Sequence, residues 1–400
     1  MSDTRSSRNP LANLPRPVWL LGWVSLATDA ASEAIYPLLP FFLTTVLGAS
    51  PVSLGIVEGA AEAVNSVLKL WSGRMADRAR RKRPLVLAGY TISSLVRPFI
   101  ALAHSWTHVL AVRVTDRVGK GIRSAPRDAI LATWASADTR GRVYGVHRAM
   151  DHTGAVIGPI LAVLFLLWYP GQYRTLFALT MIPGAIAVAL IFFVREKDAD
   201  QPVDHPRAHE DVTSDGDAKE RLPRRLQAFF LVLTLFTLGN STDAFLLLKL
   251  TDAAGAVTYV PLIWAALHVV KASSSVVGGA WSDRIGRRAV IALGWTVYAA
   301  VYFAFAATDR LLPLIVIFLC YGVYFGLTEG VEKALVADLA PVSRRGHAFG
   351  VYNAVIGIGA LAASVVFGLV WNAFGSATAF TMGGVLALVA SGLLFAAVPR

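Results

Sequence analysis

Twelve apolar segments, most of them about twenty residues long, occupy nearly the whole chain, and a charged turn found between the second and third returns between the eighth and ninth. The first copy reads Gly73-Arg-Met-Ala-Asp77-Arg78-Ala-Arg80-Arg81-Lys82; the second reads Gly279-Ala-Trp-Ser-Asp283-Arg284-Ile-Gly286-Arg287-Arg288. The two aspartates lie 206 residues apart in a chain of 400. A segment of roughly 20 apolar residues is the length that spans a bilayer as a helix. A motif recurring at half the chain length marks a doubled unit. The segments run roughly over 18–47, 52–72, 84–103, 106–133, 143–168, 174–194, 226–250, 257–280, 289–307, 312–337, 346–371 and 376–398. Apolar residues make up 55% of the chain and charged residues 16%, with mean hydropathy +0.56, which excludes an ordinary soluble domain.

Between the sixth and seventh segments lies the one long polar stretch, 195–225, which carries nine aspartates and glutamates, three prolines and almost nothing apolar. Such a stretch cannot bury a core and is expected to be a solvated linker. It divides the chain into a six-helix bundle at 1–194 and a second at 226–400. With the N-terminus inside, the cytoplasmic segments hold 24 Lys and Arg, and the opposite loops hold two, Arg174 and Arg310. That asymmetry places both termini and the linker in the cytoplasm. It also accounts for the formal charge of +11 without a nucleic-acid partner. The lone Cys320 forms no internal disulfide, and the polar N-terminal stretch does not read as a cleaved leader. The expected location is the plasma (inner) membrane.

The two halves correspond elsewhere. Asp138-Thr-Arg-Gly-Arg-Val-Tyr144-Gly145 answers Ser343-Arg-Arg-Gly-His-Ala-Phe349-Gly350, and Thr28-Asp29-Ala30 answers Thr242-Asp243-Ala244. Six spans is an even number, so the repeats run parallel and are related by an axis along the membrane normal. The fold class expected is all-α and integral to the membrane, with twelve transmembrane helices in two parallel six-helix pseudo-repeats.

Twelve spans in two halves, with Gly-x-x-x-Asp-Arg-x-Gly-Arg-Arg after spans two and eight, resemble the major facilitator superfamily. The second copy carries the whole pattern; the first has Arg80 where the family has glycine. Arg117-Val-Gly-Lys120-Gly121-Ile-Arg123-Ser-Ala125 is similar to the Arg-x-x-Gln-Gly-x-Gly-x-Ala of proton-driven efflux members, with Lys120 and Arg123 in place of a glutamine and a glycine. Gly154-Ala-Val-Ile-Gly158-Pro159 resembles the Gly-x-x-x-Gly-Pro element of antiporters, although Ala162 and Val163 stand where that element continues with glycines. The resemblance implies a transporter that rocks its halves about a midplane site, with spans one, four, seven and ten lining the cavity. It also implies that Gly73, Asp77, Arg78 and Gly279, Asp283, Arg284 latch the cytoplasmic side in the outward-open state.

The chemistry is expected in the ionisable residues within the spans, since a charge at the bilayer centre costs roughly 2.5–3.5 kcal/mol on insertion scales and is rarely left facing lipid. In span four, Arg113, Asp116, Arg117, Lys120, Arg123 and Arg127 recur at spacings of three and four and share one face of the helix. Proton-coupling candidates are Asp29 and Glu33 in span one, Glu58 and Glu62 in span two, and Glu329 in span ten. Candidates for the substrate cavity are Tyr36, Arg113, Arg117, Lys120, Asp243, His268, Lys271 and Glu332. Arg148, Asp151 and His152 are expected to join the span-four network.

No nucleotide-binding glycine loop and no metal-ligand spacing appears, so neither cofactor nor metal is expected and the energy source is an ion gradient. The function read from these features is proton-coupled efflux of a small polar or amphipathic solute by a monomer. The alternatives are proton-linked uptake of an anionic solute and, more distantly, a membrane enzyme or a non-transporting receptor. An enzyme would need a nucleophile or metal constellation that the chain does not offer.

Overall fold

The computed structural model describes residues 14–79, 81–134, 140–196, 222–255, 257–341 and 345–398. Among the described residues the chain is nearly all helical, without strands, and its helical pieces can be grouped into twelve segments. In the N-terminal half these are α1 (Arg16–Ile35), α2 (Pro51–Arg78), α3 (Arg83–Leu102), α4 (Trp106–Thr133), α5 (Arg140–Trp168) and α6 (Tyr173–Ile191). In the C-terminal half they are α7 (Arg224–Ala254), α8 (Val260–Ile285), α9 (Arg287–Ala307), α10 (Leu311–Leu339), α11 (Arg345–Phe374) and α12 (Ser376–Ala397). The linker expected at 195–225 falls mostly outside the described residues.

Eight of the twelve are long and apolar enough to cross a membrane on length and composition alone: α3, α5, α6, α7, α9, α10, α11 and α12. The other four, α1, α2, α4 and α8, carry Asp29, Glu33, Glu58, Glu62, Lys271 and the span-four charges. Their polar content is the content of the cavities described below. Lipid tolerates such helices only where their charges face protein or water.

Local sequence explains the ends and breaks. Ser50 caps α2, its hydroxyl accepting from the Ser53 amide at 3.3 Å, with Pro51 at the first helical position. Ser105 caps α4 in the same way through the His108 amide. A single residue, Gly286, joins α8 to α9 with φ of +92°, a conformation side-chain-bearing L residues rarely adopt. That is the physical reason for the glycine in the second copy of the repeated turn. In the first copy, α2 ends at Arg78 and α3 begins at Arg83.

Span α7 is broken. Its helix stops at Gly239 and restarts at Ala244, leaving Asn240-Ser-Thr-Asp243 between the pieces. Groups freed by the break find partners nearby: the Gly239 carbonyl accepts from Tyr298 Oη at 3.0 Å, and the Thr242 amide donates to Ser364 Oγ at 3.2 Å. Asn240 Nδ2 donates to Tyr324 Oη at 3.0 Å, and the Ser241 hydroxyl meets Tyr302 Oη at 3.0 Å. Irregular backbone at membrane depth survives only with such partners or where it lines a cavity.

The halves meet along two seams, α2 against α11 and α5 against α8. At one end of the cavity, the continuation of α1 packs through Leu39–Phe41 on the second piece of α7, and Phe42, Leu43, Phe245 and Leu246 there are buried. At the end that carries the repeated turns, the facing side chains of Arg148 on α5 and Glu329 on α10 stay 60% and 51% exposed. The first end is closed by apolar packing, and the second, open end carries exposed charged side chains.

Candidate transport cavity

The central cavity has a volume of about 330 Å³ and takes its lining from both halves. From α1 and α2 come Glu33, Tyr36, Glu58 and Glu62; from α4 comes Arg117. The α7 break supplies Asn240 to Asp243, α8 supplies Trp264 and Lys271, and α10 and α11 add Phe325, Ile356 and Ser364. A discontinuous helix at the interface of the repeats is a common way for a carrier to build its site.

The polar groups here form specific pairs. Trp264 Nε1 donates to Glu33 Oε2 at 2.8 Å across the halves, and His268 Nε2 lies 3.8 Å from the same oxygen. Tyr321 Oη donates to Asp243 Oδ1 at 2.7 Å, while Lys271 Nζ stands 3.4 Å from Oδ2. Lys271 is also held against aromatic faces, 3.5 Å from the Phe325 centroid and 5.2 Å from that of Trp264. Tyr36 Oη reaches Thr242 Oγ1 at 3.5 Å, again between halves. Glu62 accepts from Asn65 Nδ2 at 3.2 Å on its own helix. Counting charges, and setting aside Glu58, which Arg113 neutralises, two cations (Arg117, Lys271) face three carboxyls (Glu33, Glu62, Asp243).

Several residues of the charged stripe on α4 turn out to be engaged within the N-terminal half. Arg113 forks onto Glu58, Nε to Oε1 at 2.9 Å and Nη2 to Oε2 at 2.6 Å, with both side chains about 95% buried. Asp116 is bound by Arg97 at 2.9 Å, and Arg117 Nη1 lies 3.6 Å from its other oxygen. Arg97 also donates to the Thr28 carbonyl at 3.3 Å. Sequence reading passed over Arg97, although a lone arginine inside the apolar third span was the signal that could have found it.

Asp29 and Lys120 do not line the central cavity. They belong to a second cavity of about 410 Å³ inside the N-terminal half, with Lys69, Arg123, Arg127, Asp128, Arg148 and Asp151. There Asp29 of α1 and Asp151 of α5 line the same space. Ser25 Oγ donates to Asp151 Oδ1 at 2.5 Å. Gly154 and Gly158 bring the two aspartates into one cavity by letting α5 lie directly on α1. A Cβ at either position would run into the backbone of Leu26 or Ala30. The element that includes Pro159 thus packs α5 against α1, within one half.

Glu329 bridges toward the other half, 3.4 Å from Arg148 Nη2 and 3.3 Å from Lys333 Nζ. Glu332, one turn on, is 5% exposed and lines not the central cavity but an adjoining smaller space of about 180 Å³, walled by Phe236, Tyr324 and Tyr352 and sharing Asn240, Phe325, Ile356 and Ala360 with it. Its two oxygens accept from Trp295 Nε1 at 2.9 Å and Tyr352 Oη at 3.0 Å. The side chains of Gly73, Asp77, Arg78, Gly279 and Asp283 lie outside the described residues, and Arg284 is exposed at the end of α8. Among the described residues no cluster of His, Cys, Asp and Glu could hold a metal ion.

The profile of the Major Facilitator Superfamily matches residues 21–269 and 229–400. A transporter of that type from Methanocaldococcus jannaschii, itself uncharacterised, is 33% identical over 387 residues, covering 95% of this chain and 94% of its own. The chain therefore belongs to the Major Facilitator Superfamily and is a multi-pass membrane transporter. The cis,cis-muconate transport protein of Acinetobacter baylyi is 24% identical over 384 residues, covering 90% and 88% of the two chains. The multidrug resistance protein MdtL of Klebsiella pneumoniae is 29% identical over 191 residues, 48% and 46% of the two. Among solved structures, the nucleoside transporter NupG shares the fold with a TM-score of 0.79 at 14% identity, covering 96% of this chain and all of that one.

Proposed function

We propose that the protein is a proton-coupled exporter of a small polar or amphipathic solute, working as a monomer in the plasma membrane with its termini and the open end of the cavity toward the cytoplasm. The observation that carries the reading is that Asp29, one helix turn from Glu33 of the central cavity, shares a space inside the N-terminal half with Asp151. Two carboxyls sharing one space between two helices disfavour a second negative charge, so one of them can hold a proton and release it when the helices shift and a cation such as Lys120 approaches. The small-residue packing of α1 on α5 makes that arrangement sensitive to such a shift.

The central cavity is suited to a solute with hydrogen-bonding groups and a positive or mixed charge, since its carboxyls outnumber its cations. Half-chain similarity to a multidrug resistance protein supports export. Similarity to a muconate carrier keeps uptake of an anion as the second reading, for which Arg117 and Lys271 would supply the charge. The inferred latch at Asp77 and Asp283 would hold the cytoplasmic end closed in the other half of the cycle.

Reconstitution in proteoliposomes tests the assignment. A fluorescent organic cation, cis,cis-muconate and a zwitterionic amino acid serve as probes. For whichever is carried, Asp29→Asn and Asp151→Asn are expected to keep exchange down a gradient and to lose accumulation driven by a pH difference. Full pH-driven accumulation in both variants rejects these residues as proton carriers.

A further inference from the structure

The cavity inside the N-terminal half is chemically the reverse of the central one. Five cations, Lys69, Lys120, Arg123, Arg127 and Arg148, project into it against three carboxyls, Asp29, Asp128 and Asp151. Two of the cations are accounted for: Arg127 pairs with Asp128 at 2.9 Å, and Arg148 lies between Asp151 and Glu329. The remaining three are not. No carboxylate stands within 4.0 Å of Lys69, Lys120 or Arg123 among the described residues. Arg123 is 4% exposed, and its partners are a neutral hydroxyl, Ser93 at 2.7 Å, and the face of Tyr90 at 4.2 Å.

Cations held this deeply without counter-charge are costly unless something supplies one. The carboxyls lining this space do not match its cations in number: even with Asp29 fully ionised, three face five. The space is open, about 410 Å³, and far larger than the ~30 Å³ that one water occupies in the liquid. Its walls come from α1 to α5, and it shares no lining residue with the central cavity. Exposed Arg148 at its mouth connects it to the open end between the halves.

We propose that this cavity is a binding site for a small oxyanion, a phosphate or carboxylate group, which enters from the aqueous vestibule and is held by Lys69, Lys120 and Arg123. Lys ammonium groups and an arginine fork are the donors that recognise such oxygens. The site is separate from the solute cavity and stands whether or not the Asp29–Asp151 pair carries the coupling proton.

The test uses the full chain in nanodiscs of phosphatidylcholine, with inorganic phosphate as probe and calorimetric titration as readout. Saturable binding is expected, weakened at least tenfold in Lys120→Gln and in Arg123→Gln. Lys120→Arg is expected to keep it, which separates charge from folding. Arg310→Gln, an exposed cation at the opposite end, should leave it unchanged. Absence of saturable binding, or equal affinity in the wild type and Lys120→Gln, overturns the site. Nanodiscs containing phosphatidylglycerol distinguish the source: unchanged phosphate affinity supports an aqueous anion. Loss of phosphate binding there would assign the cavity to a lipid headgroup and overturn the proposal.

Discussion

Trp264 on α8 and Glu33 on α1 are joined by a 2.8 Å hydrogen bond that ties one half of the molecule to the other across the central cavity. It lies near the closed end, where α1 continues against α7. A hydrogen bond to a charged group contributes about 1.5–3 kcal/mol, so this contact alone weighs on the balance between conformations. Trp264→Phe keeps an aromatic ring and removes the donor. The variant is expected to shift the population toward opening at the α1–α7 end by roughly tenfold or more. Distances between spin labels at the ends of α1 and α7, in a Cys320→Ser background, read the shift. An unchanged distance distribution would show that the bond does not bias the equilibrium.

The Arg113–Glu58 fork is a buried pair, and breaking one partner leaves the other charged and unpaired. Arg113→Ala is expected to destabilise the protein by about 3–5 kcal/mol. The double variant Arg113→Met, Glu58→Leu should recover most of that loss. Thermal unfolding in detergent checks both, and a double variant no better than the single would contradict the account.

Gly158 and Gly330 make a matched comparison within spans. An added Cβ meets the Ala30 backbone at Gly158 and nothing within 4 Å at Gly330. Gly158→Ala is expected to cost roughly 1–3 kcal/mol through overpacking. Gly330→Ala is expected to be neutral or slightly stabilising. Equal melting temperatures for the two variants would remove the α1–α5 contact from the explanation.

Glu332 is caged by an indole and a phenol rather than exposed to the solute. Glu332→Leu orphans two buried donors and should cost about 1–3 kcal/mol for each. Glu332→Gln retains an acceptor for Trp295 and should stay close to wild type in stability. Solute affinity should change little in Glu332→Gln; a large loss of binding would return this residue to the solute site.

The architecture was legible because it rests on two local signals that need no tertiary information: apolar runs of bilayer length and a charged turn at the half-chain period. The charged face of α4 was equally visible from spacing. Its division was not. Whether Arg113 meets solute or Glu58, and whether Lys120 faces one cavity or another, depends on the rotation and tilt of α4 against α2, which no periodicity contains. The break in α7 had a signal in Gly239-Asn-Ser-Thr-Asp243, a run of turn-forming polar residues inside an apolar span. The correspondence of Asp29 with Asp243 hides a difference for the same reason. Asp29 sits in continuous helix and lines the N-terminal cavity with Asp151 of α5, while Asp243 borders a break and faces Tyr321 and Lys271. Asp29 and Asp151, 122 positions apart, come to one cavity because two glycines bring their helices together.

Proton coupling is the central claim, and proton movement driven by the solute tests it most directly. Proteoliposomes holding a trapped pH-sensitive dye, with no pH difference imposed, receive an inwardly directed gradient of a carried solute. The account predicts that protons leave the lumen as solute enters, and that Asp29→Asn abolishes the signal while solute still exchanges. Protons moving in the same direction as solute, or no proton movement during wild-type transport, would contradict it.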